Sequence, residues 1–290
     1  MGACRATAIL TGFFALTVPL MPVQAALVRI SPTAARRFPH WYHRKVCKLM
    51  GITLTIDGAV AAGCPVLLVS NHTSWLDIPV LSAVAPVSFI AKKEVGGWPF
   101  VSSLARLQRT VFVDRNRKQA SGDAANEISE RLESGDTIVL FAEGTSSDGN
   151  RVLPFKSSLF GAVTGTSSGQ SKVVVQTVAV VYTHVHGISL ARADRPRVGW
   201  YGDMEMQSHA WTVLKSGPLR VTVKVGPPIP LESFTGRKEL ALSSERAVRK
   251  SVLGLVRGRS SGDEIFPVEP DEARRKLSAP LSSARNEKWT

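Results

Sequence analysis

Cysteine is scarce in this chain. Cys4, Cys47 and Cys64 are the only three in 290 residues. An odd count at wide spacing gives neither a disulfide framework nor the paired-cysteine signature of a zinc site, and it fits a reducing compartment. Aromatic residues are also few, with six Trp and three Tyr, and outside the Arg36–Ile52 segment no run interleaves them with basic residues. That argues against a nucleic-acid partner, which would need stacking surfaces along a cationic groove. Acidic residues are in short supply too, 23 against 36 Lys and Arg, for a net charge of +13. Such a surplus suits an anionic membrane face or phosphate-bearing substrates. Hydrophobic residues at 44% and charged residues at 20% exclude wholesale disorder.

Charge of either sign is missing between Arg5 and Arg29. This stretch is long enough for a membrane-spanning helix, although Pro19 and Pro22 should kink it. Two readings compete. Val23-Gln24-Ala25 resembles the small-residue cleavage site of a signal peptide. The alternative is an uncleaved anchor or a membrane-embedded hairpin. Arg29, Arg36, Arg37, Arg44, Lys45 and Lys48 follow closely, against Arg5 alone before it. Basic flanks stay cytoplasmic, which favours the membrane element, with the bulk of the chain on the cytoplasmic side of the inner membrane. Arg36–Ile52 mixes cations with Trp41, Tyr42, Val46 and Leu49, the pattern of an interfacial amphipathic helix on anionic headgroups. His40 and His43 lack a third ligand and read as interfacial polar residues rather than a metal pair.

Beyond residue 50, strand-like runs alternate with helical ones. Ile52–Gly58 alternates and ends on a turn signal; Pro65–Ser70, Val87–Lys92, Thr110–Arg115 and Thr137–Gly144 read as strands. Val173–Tyr182 is the longest β-branched run and reads as a central strand, and Leu219–Gly226 alternates. A short helix should open near Pro99. Ala120, Ala124, Ile128 and Leu132 mark a helix closed by Gly135, and Glu239–Val256 is another. The fold class is α/β: a single domain over 51–257 with a mostly parallel central sheet flanked by helices, behind a membrane-associated helical segment over 1–50. Residues 258–290, rich in Ser, Pro and charge, read as a poorly ordered tail.

The chemistry gathers at VLLVSNHTSWLDIPVL, Val66 to Leu81. His72 and Asp77 stand five apart, which on a regular helix would point them about 140° away from each other. They meet only if the backbone turns between them. The stretch offers that turn: a strand to Ser70, a polar link over Asn71–Ser74, and a helix starting near Trp75 with Ser74 as its N-cap. Asp77 could then fix the tautomer of His72 and leave the other ring nitrogen to take a proton. No nucleophilic side chain is needed if the substrate brings its own hydroxyl.

Further along, Phe141–Lys156 places Glu143-Gly144-Thr145 at the end of a buried strand, and the Thr110–Arg115 run ends in a guanidinium suited to phosphate. Here the sequence resembles the glycerolipid acyltransferases, typified by 1-acyl-glycerol-3-phosphate O-acyltransferase. Their Asn-His-x-Ser-x-x-Asp hallmark is NHTSWLD, followed in family order by VFVDR, FAEGT and VQTVAVVY, spanning about Leu67 to Tyr182. The segments SSDGNRVLPFKSSLFG, YTHVHG and WYGDMEMQSHAW resemble the branch that completes ornithine lipids.

The resemblance implies roles. His72 would deprotonate the acceptor hydroxyl and Asp77 would orient it. Arg115 would grip the acceptor's phosphate, with Lys92 adding positive field. Asn71, Ser74, Glu143, Gly144 and Thr145 would shape the substrate site. The donor would be an acyl thioester of acyl carrier protein (ACP) or coenzyme A, the acceptor a lysolipid, with no metal or bound cofactor. Three positions depart from the family pattern: Ala142 and Thr177 replace prolines, and Ser146 stands where an arginine often follows. Phosphatidic acid is the favoured product, and ornithine lipid the alternative that Ser146 leaves open.

Rival readings are weaker. Gly165–Gly169 matches a nucleophile elbow, but a helix-like run precedes it and a strand follows, the reverse of what the elbow requires. His184 and His186 share a strand face without a third ligand. A non-catalytic anionic-lipid-binding protein would leave the four ordered blocks unexplained.

Overall fold

A computed structural model describes residues 2–113, 118–161 and 173–258, which fall within one compact unit. Its centre is a single sheet of nine strands: β1 (Ile52–Asp57), β2 (Val66–Ser70), β3 (Ser88–Lys92), β4 (Val111–Val113), β5 (Thr137–Phe141), β6 (Val174–Val185), β7 (Ile188–Ser189), β8 (Leu219–Val225) and β9 (Ile229–Pro230). The order is β1-β8-β6-β2-β5-β3-β4, with β7 and β9 added along β6. Along that path every neighbouring pair is parallel except β6–β8. The fold is therefore α/β with one mostly parallel sheet, as the alternation of strand and helix signals implies.

Helices cover both faces of the sheet. Among the described residues they are α1 (Gly2–Ile30), α2 (Pro32–Met50), α3 (Asp77–Val84), α4 (Val101–Leu107), α5 (Lys118–Glu133), α6 (Met206–Ser216) and α7 (Arg237–Val256). Strand β2 shows why its sequence is an unbroken apolar run. Val66 and Leu68 enter the core on the side of α1, α2, α3 and α6, while Leu67 and Val69 enter the core formed with α5 and α7. All five β2 residues are buried, as a strand covered on both sides requires.

The charge-free N-terminal stretch is one helix, assigned without interruption through Pro19 and Pro22. It lies along the domain and is fastened at both ends. Arg5 donates to the carbonyls of Leu214 and, across 2.7 Å, Met50. Gln24 Nε2 donates to Ala35 O and Leu107 O at 3.0 and 2.9 Å. Ala6, Ile9, Thr17 and Gln24 face inward, while Phe14, Val18, Val23 and Ile30 stay exposed. Ser31 caps α2 by accepting from Ala34 N, with Pro32 in the first turn. Gly51 closes α2 at φ 73°, a left-handed conformation that glycine adopts without strain.

Several details differ from the sequence reading. Helix α2 buries Ala35, Pro39, Val46, Cys47 and Met50, so only its other side can meet a surface. His40 and His43 turn inward rather than lying at an interface, because α3 offers them acceptors: Ser82 O lies 2.8 Å from His40 Nδ1, and Ser82 Oγ lies 2.9 Å from His43 Nδ1. The strand expected over Thr110–Arg115 is described only as Val111–Val113, and Arg115 lies outside the described residues. So do Gly165–Gly169 and the tail from residue 259 onward. Helix α6 was not foreseen, although its segment, MQSHAWTVLKS, places Met206, Ala210, Val213 and Leu214 at helical spacing.

Candidate active site

Strand β2 ends at Ser70, and the six residues before α3 form the turn that the sequence required. Asn71 is buried and serves as a piece of artificial strand. Its Nδ2 donates to Val180 O at 3.0 Å, and its Oδ1 accepts from Val180 N at 2.8 Å. This pins the end of β2 to β6, so Asn71 builds the turn instead of facing the cavity described below.

His72 and Asp77 meet across this turn. The imidazole Nδ1 lies 2.8 Å from Asp77 Oδ2. The same oxygen accepts Thr73 N at 2.7 Å and Ser74 N at 3.0 Å. Oδ1 accepts the hydroxyl of Tyr182 at 2.7 Å. Asp77 is fully buried with four donors around it, so its charge is compensated and its position over-determined. It also settles where α3 begins. The helix starts at Asp77, not near Trp75, and the carboxylate, not Ser74, gathers the free N–H groups of the turn. Ser74 Oγ is buried without a hydrogen-bond partner among the described residues.

With Nδ1–H committed to Asp77, Nε2 of His72 holds a lone pair. The ring stacks on Phe141 at 4.0 Å and 17°, and its backbone is clamped as well. His72 N donates to Glu143 Oε1 at 2.8 Å, and His72 O accepts from Ser147 N at 2.9 Å. Glu143 Oε2 accepts from Leu153 N at 2.8 Å. Burial, with a smaller push from Asp77's charge, lifts the Glu143 carboxyl to about 7 against the pull of its two N–H bonds. Burial and the Asp77 charge likewise hold the Tyr182 hydroxyl well above its ordinary range, so it stays a donor.

His72 opens onto a cavity of about 1360 Å³. That exceeds the roughly 300–1,000 Å³ of an ordinary small-ligand pocket. Its walls are chiefly apolar side chains from α1, α2, α4 and α6, so the N-terminal helices are part of the site. Lys92, Gly144 and Thr145 line it with His72, whereas Asn71, Ser74, Asp77 and Glu143 stand behind the wall. Ser146, also in the lining, is tied to Trp200 O. Sequence reasoning missed the role of Tyr182. Its only signal was its position at the end of a long apolar strand, and the contact spans 105 residues of chain. It also missed the contribution of α1 and α2 to the cavity.

A buried carboxylate holds an imidazole at the end of a strand, open to a large apolar cavity, an arrangement that suits proton abstraction beside a lipid-like chain. Comparison with known proteins agrees. Residues 51–181 match the Acyltransferase family model. The chain is 45% identical over 261 residues to a lyso-ornithine lipid O-acyltransferase from Brucella abortus, covering 89% of this chain and 98% of that protein. It is 31% identical over 193 residues to a 1-acyl-sn-glycerol-3-phosphate acyltransferase from Neisseria meningitidis, covering 64% and 71%. The crystal structure of the 1-acyl-sn-glycerophosphate acyltransferase PlsC from Thermotoga maritima shares the fold, with a TM-score of 0.63, 23% identity, and 88% and 94% of the two chains covered. The chain belongs to the acyltransferase family, as its resemblance to the glycerolipid enzymes implied. It is a lysolipid acyltransferase.

Proposed function

We propose that the chain transfers a fatty acyl group from an ACP or coenzyme A thioester to lyso-ornithine lipid, giving ornithine lipid. His72 Nε2 takes the proton of the acceptor hydroxyl as its oxygen attacks the thioester carbonyl. The C–S bond breaks, and the imidazolium returns the proton to the leaving thiolate. Asp77 holds the ring in the required tautomer and stabilises the imidazolium, as in a hydrolase triad, but no side chain is acylated. No resident metal or cofactor takes part.

The observation that carries the acceptor assignment is the near full-length similarity to the Brucella protein, set against the shorter and weaker match to the Neisseria phosphate-acceptor enzyme. It replaces lysophosphatidic acid as the favoured acceptor. Two features of the site support it. Ser146, where the family often has an arginine, is engaged with Trp200 O and brings no charge. Lys92 and Glu94 both line the cavity, a pair of opposite charges suited to a zwitterionic amino-acid headgroup more than to a phosphate monoester. Arg115 remains the candidate for the acceptor's anionic group.

Helix α1 lies along the domain, fixed at Arg5 and Gln24, with Phe14, Val18 and Val23 exposed. In this reading it sits in one leaflet rather than crossing the bilayer, and the following basic residues support a position on the anionic cytoplasmic face of the inner membrane. The test uses membranes carrying the wild-type chain or His72→Ala, supplied with labelled acyl thioester and either lyso-ornithine lipid or lysophosphatidic acid. His72-dependent labelling of the ornithine acceptor is expected. Labelling of lysophosphatidic acid alone would overturn the acceptor assignment, and labelling of neither would overturn the activity.

A further inference from the structure

The cavity wall is apolar except for a few side chains whose hydrogen-bonding capacity is not fully used within the protein. His43 is the clearest. Its Nδ1 lies 3.0 Å from Pro39 O and 2.9 Å from Ser82 Oγ. A carbonyl can only accept, so Nδ1 carries the ring proton and Nε2 holds a lone pair. The ring lines the cavity, and Nε2 has no partner among the described residues. Burial lowers the His43 pKa to about 4, so the ring is neutral at physiological pH and Nε2 remains an acceptor. Gln24 adds to the imbalance. Its Nε2 is used up by two carbonyls, and its Oε1 is buried without a donor among the described residues.

A plain acyl chain has no donor to offer these atoms. Left unmet, the buried Gln24 Oε1 costs about 1–3 kcal/mol, and His43 Nε2 offers the cavity a second acceptor, so the wall suits a ligand that brings an N–H or O–H. The position of His43 indicates where that donor lies. Ser82, which holds His43, is five residues beyond Asp77 on α3, about 7.5 Å along the helix axis. His43 and His72 thus line one cavity, held by Ser82 and Asp77 of the same helix.

We infer that His43 is a specificity residue whose Nε2 accepts a hydrogen bond from the amide N–H of an amide-linked lysolipid acceptor. This rests on the acyltransferase reading above and narrows it. Ornithine has amines and a carboxylate but no hydroxyl. An O-acyltransferase acting on its lysolipid must therefore esterify a hydroxyl on the amide-linked chain, which puts an N–H near the reacting oxygen. A glycerophosphate acceptor has an ester at the equivalent place and gives His43 nothing.

The same lone pair would also suit a hydroxyl on the donated acyl chain, and the experiment separates the two. The full chain in membranes is given two acceptors that differ only in amide against ester linkage, each with plain and with hydroxylated acyl thioesters. The wild type should favour the amide acceptor by about tenfold in kcat/KM, mostly through KM. His43→Phe should bring that ratio towards one, and His43→Gln, which keeps an acceptor, should restore part of it. Three results would overturn the inference: equal use of amide and ester by the wild type, an unchanged ratio in folded His43→Phe, or a His43 effect that follows the donor's hydroxyl instead. The wild-type ratio needs no variant, so a misfolded mutant cannot shield the proposal. If the wild type acylates lysophosphatidic acid but neither of these acceptors, the acceptor assignment itself has failed. If it accepts the amide lipid but shows no His43-dependent ratio, only this inference has.

Discussion

The Tyr182 hydroxyl donates to Asp77 Oδ1 across 2.7 Å, joining the end of β6 to the first residue of α3. Asp77 Oδ2 is meanwhile shared by His72 Nδ1 and two backbone N–H groups. The carboxylate that orients the proposed base is thus held from both sides, and its angle to the imidazole depends on a residue far away in sequence.

Tyr182→Phe removes one of these supports and leaves Oδ1 buried without its donor. A stability loss of about 1–3 kcal/mol is expected, with a fall in kcat that exceeds any change in KM. Thermal unfolding and steady-state kinetics on the same preparation check both.

Asp77→Asn should cost far more activity than stability. An amide cannot accept at both oxygen positions, so His72 loses its fixed tautomer. A fall of roughly 10³–10⁴ in kcat is expected, by analogy with triad aspartates. The amide nitrogen must also face a donor that a carboxylate oxygen accepted, so a loss of about 1–3 kcal/mol accompanies it; normal membrane association and a cooperative unfolding transition separate the kinetic effect from misfolding.

Glu143 predicts a pH dependence of stability. Its carboxyl sits at about 7 in the folded chain, raised by burial from 4.5. Between those values the folded state binds the proton more tightly than the unfolded chain, so this group's contribution to stability declines as pH rises through the window. Glu143→Gln should remove that slope. It should also weaken the fold, because Oε1 and Oε2 accept separate N–H groups from His72 and Leu153 and an amide can serve only one. Denaturant midpoints for the two proteins across the window are the measurement.

Asp136 holds the start of β5 to α2. It is buried and paired with Arg36 at 2.6 Å, Arg109 at 2.7 Å and Arg131 at 3.7 Å. Asp136→Ala would leave three guanidinium groups facing one another, and a loss of roughly 3–5 kcal/mol is expected. A denaturant midpoint close to wild type would contradict this.

Ala105 lines the cavity from α4. Ala105→Phe should narrow the cavity and shift the products towards shorter acyl chains, read by mass from a mixture of thioesters.

The sequence by itself determined a good deal, and particular residues show how. The β2 run and its neighbours declared buried strands because period and β-branching are local properties. His72 and Asp77 could be paired by noticing that no regular helix brings them together, so a turn must. The Ala120, Ala124, Ile128 and Leu132 period announced α5 in the same local way. Other matters were decided only by the tertiary structure. Asp77, not Ser74, organises the turn, because one carboxylate oxygen can collect three donors where a hydroxyl meets none. His43 and His40 look like surface residues on an amphipathic helix until α3 is packed against it. Tyr182 and Gln24 acquire their roles from partners distant in the chain. The cavity exists only because α1 and α2 fold back over the sheet: an apolar helix announces that it must be covered, but its sequence does not say by what.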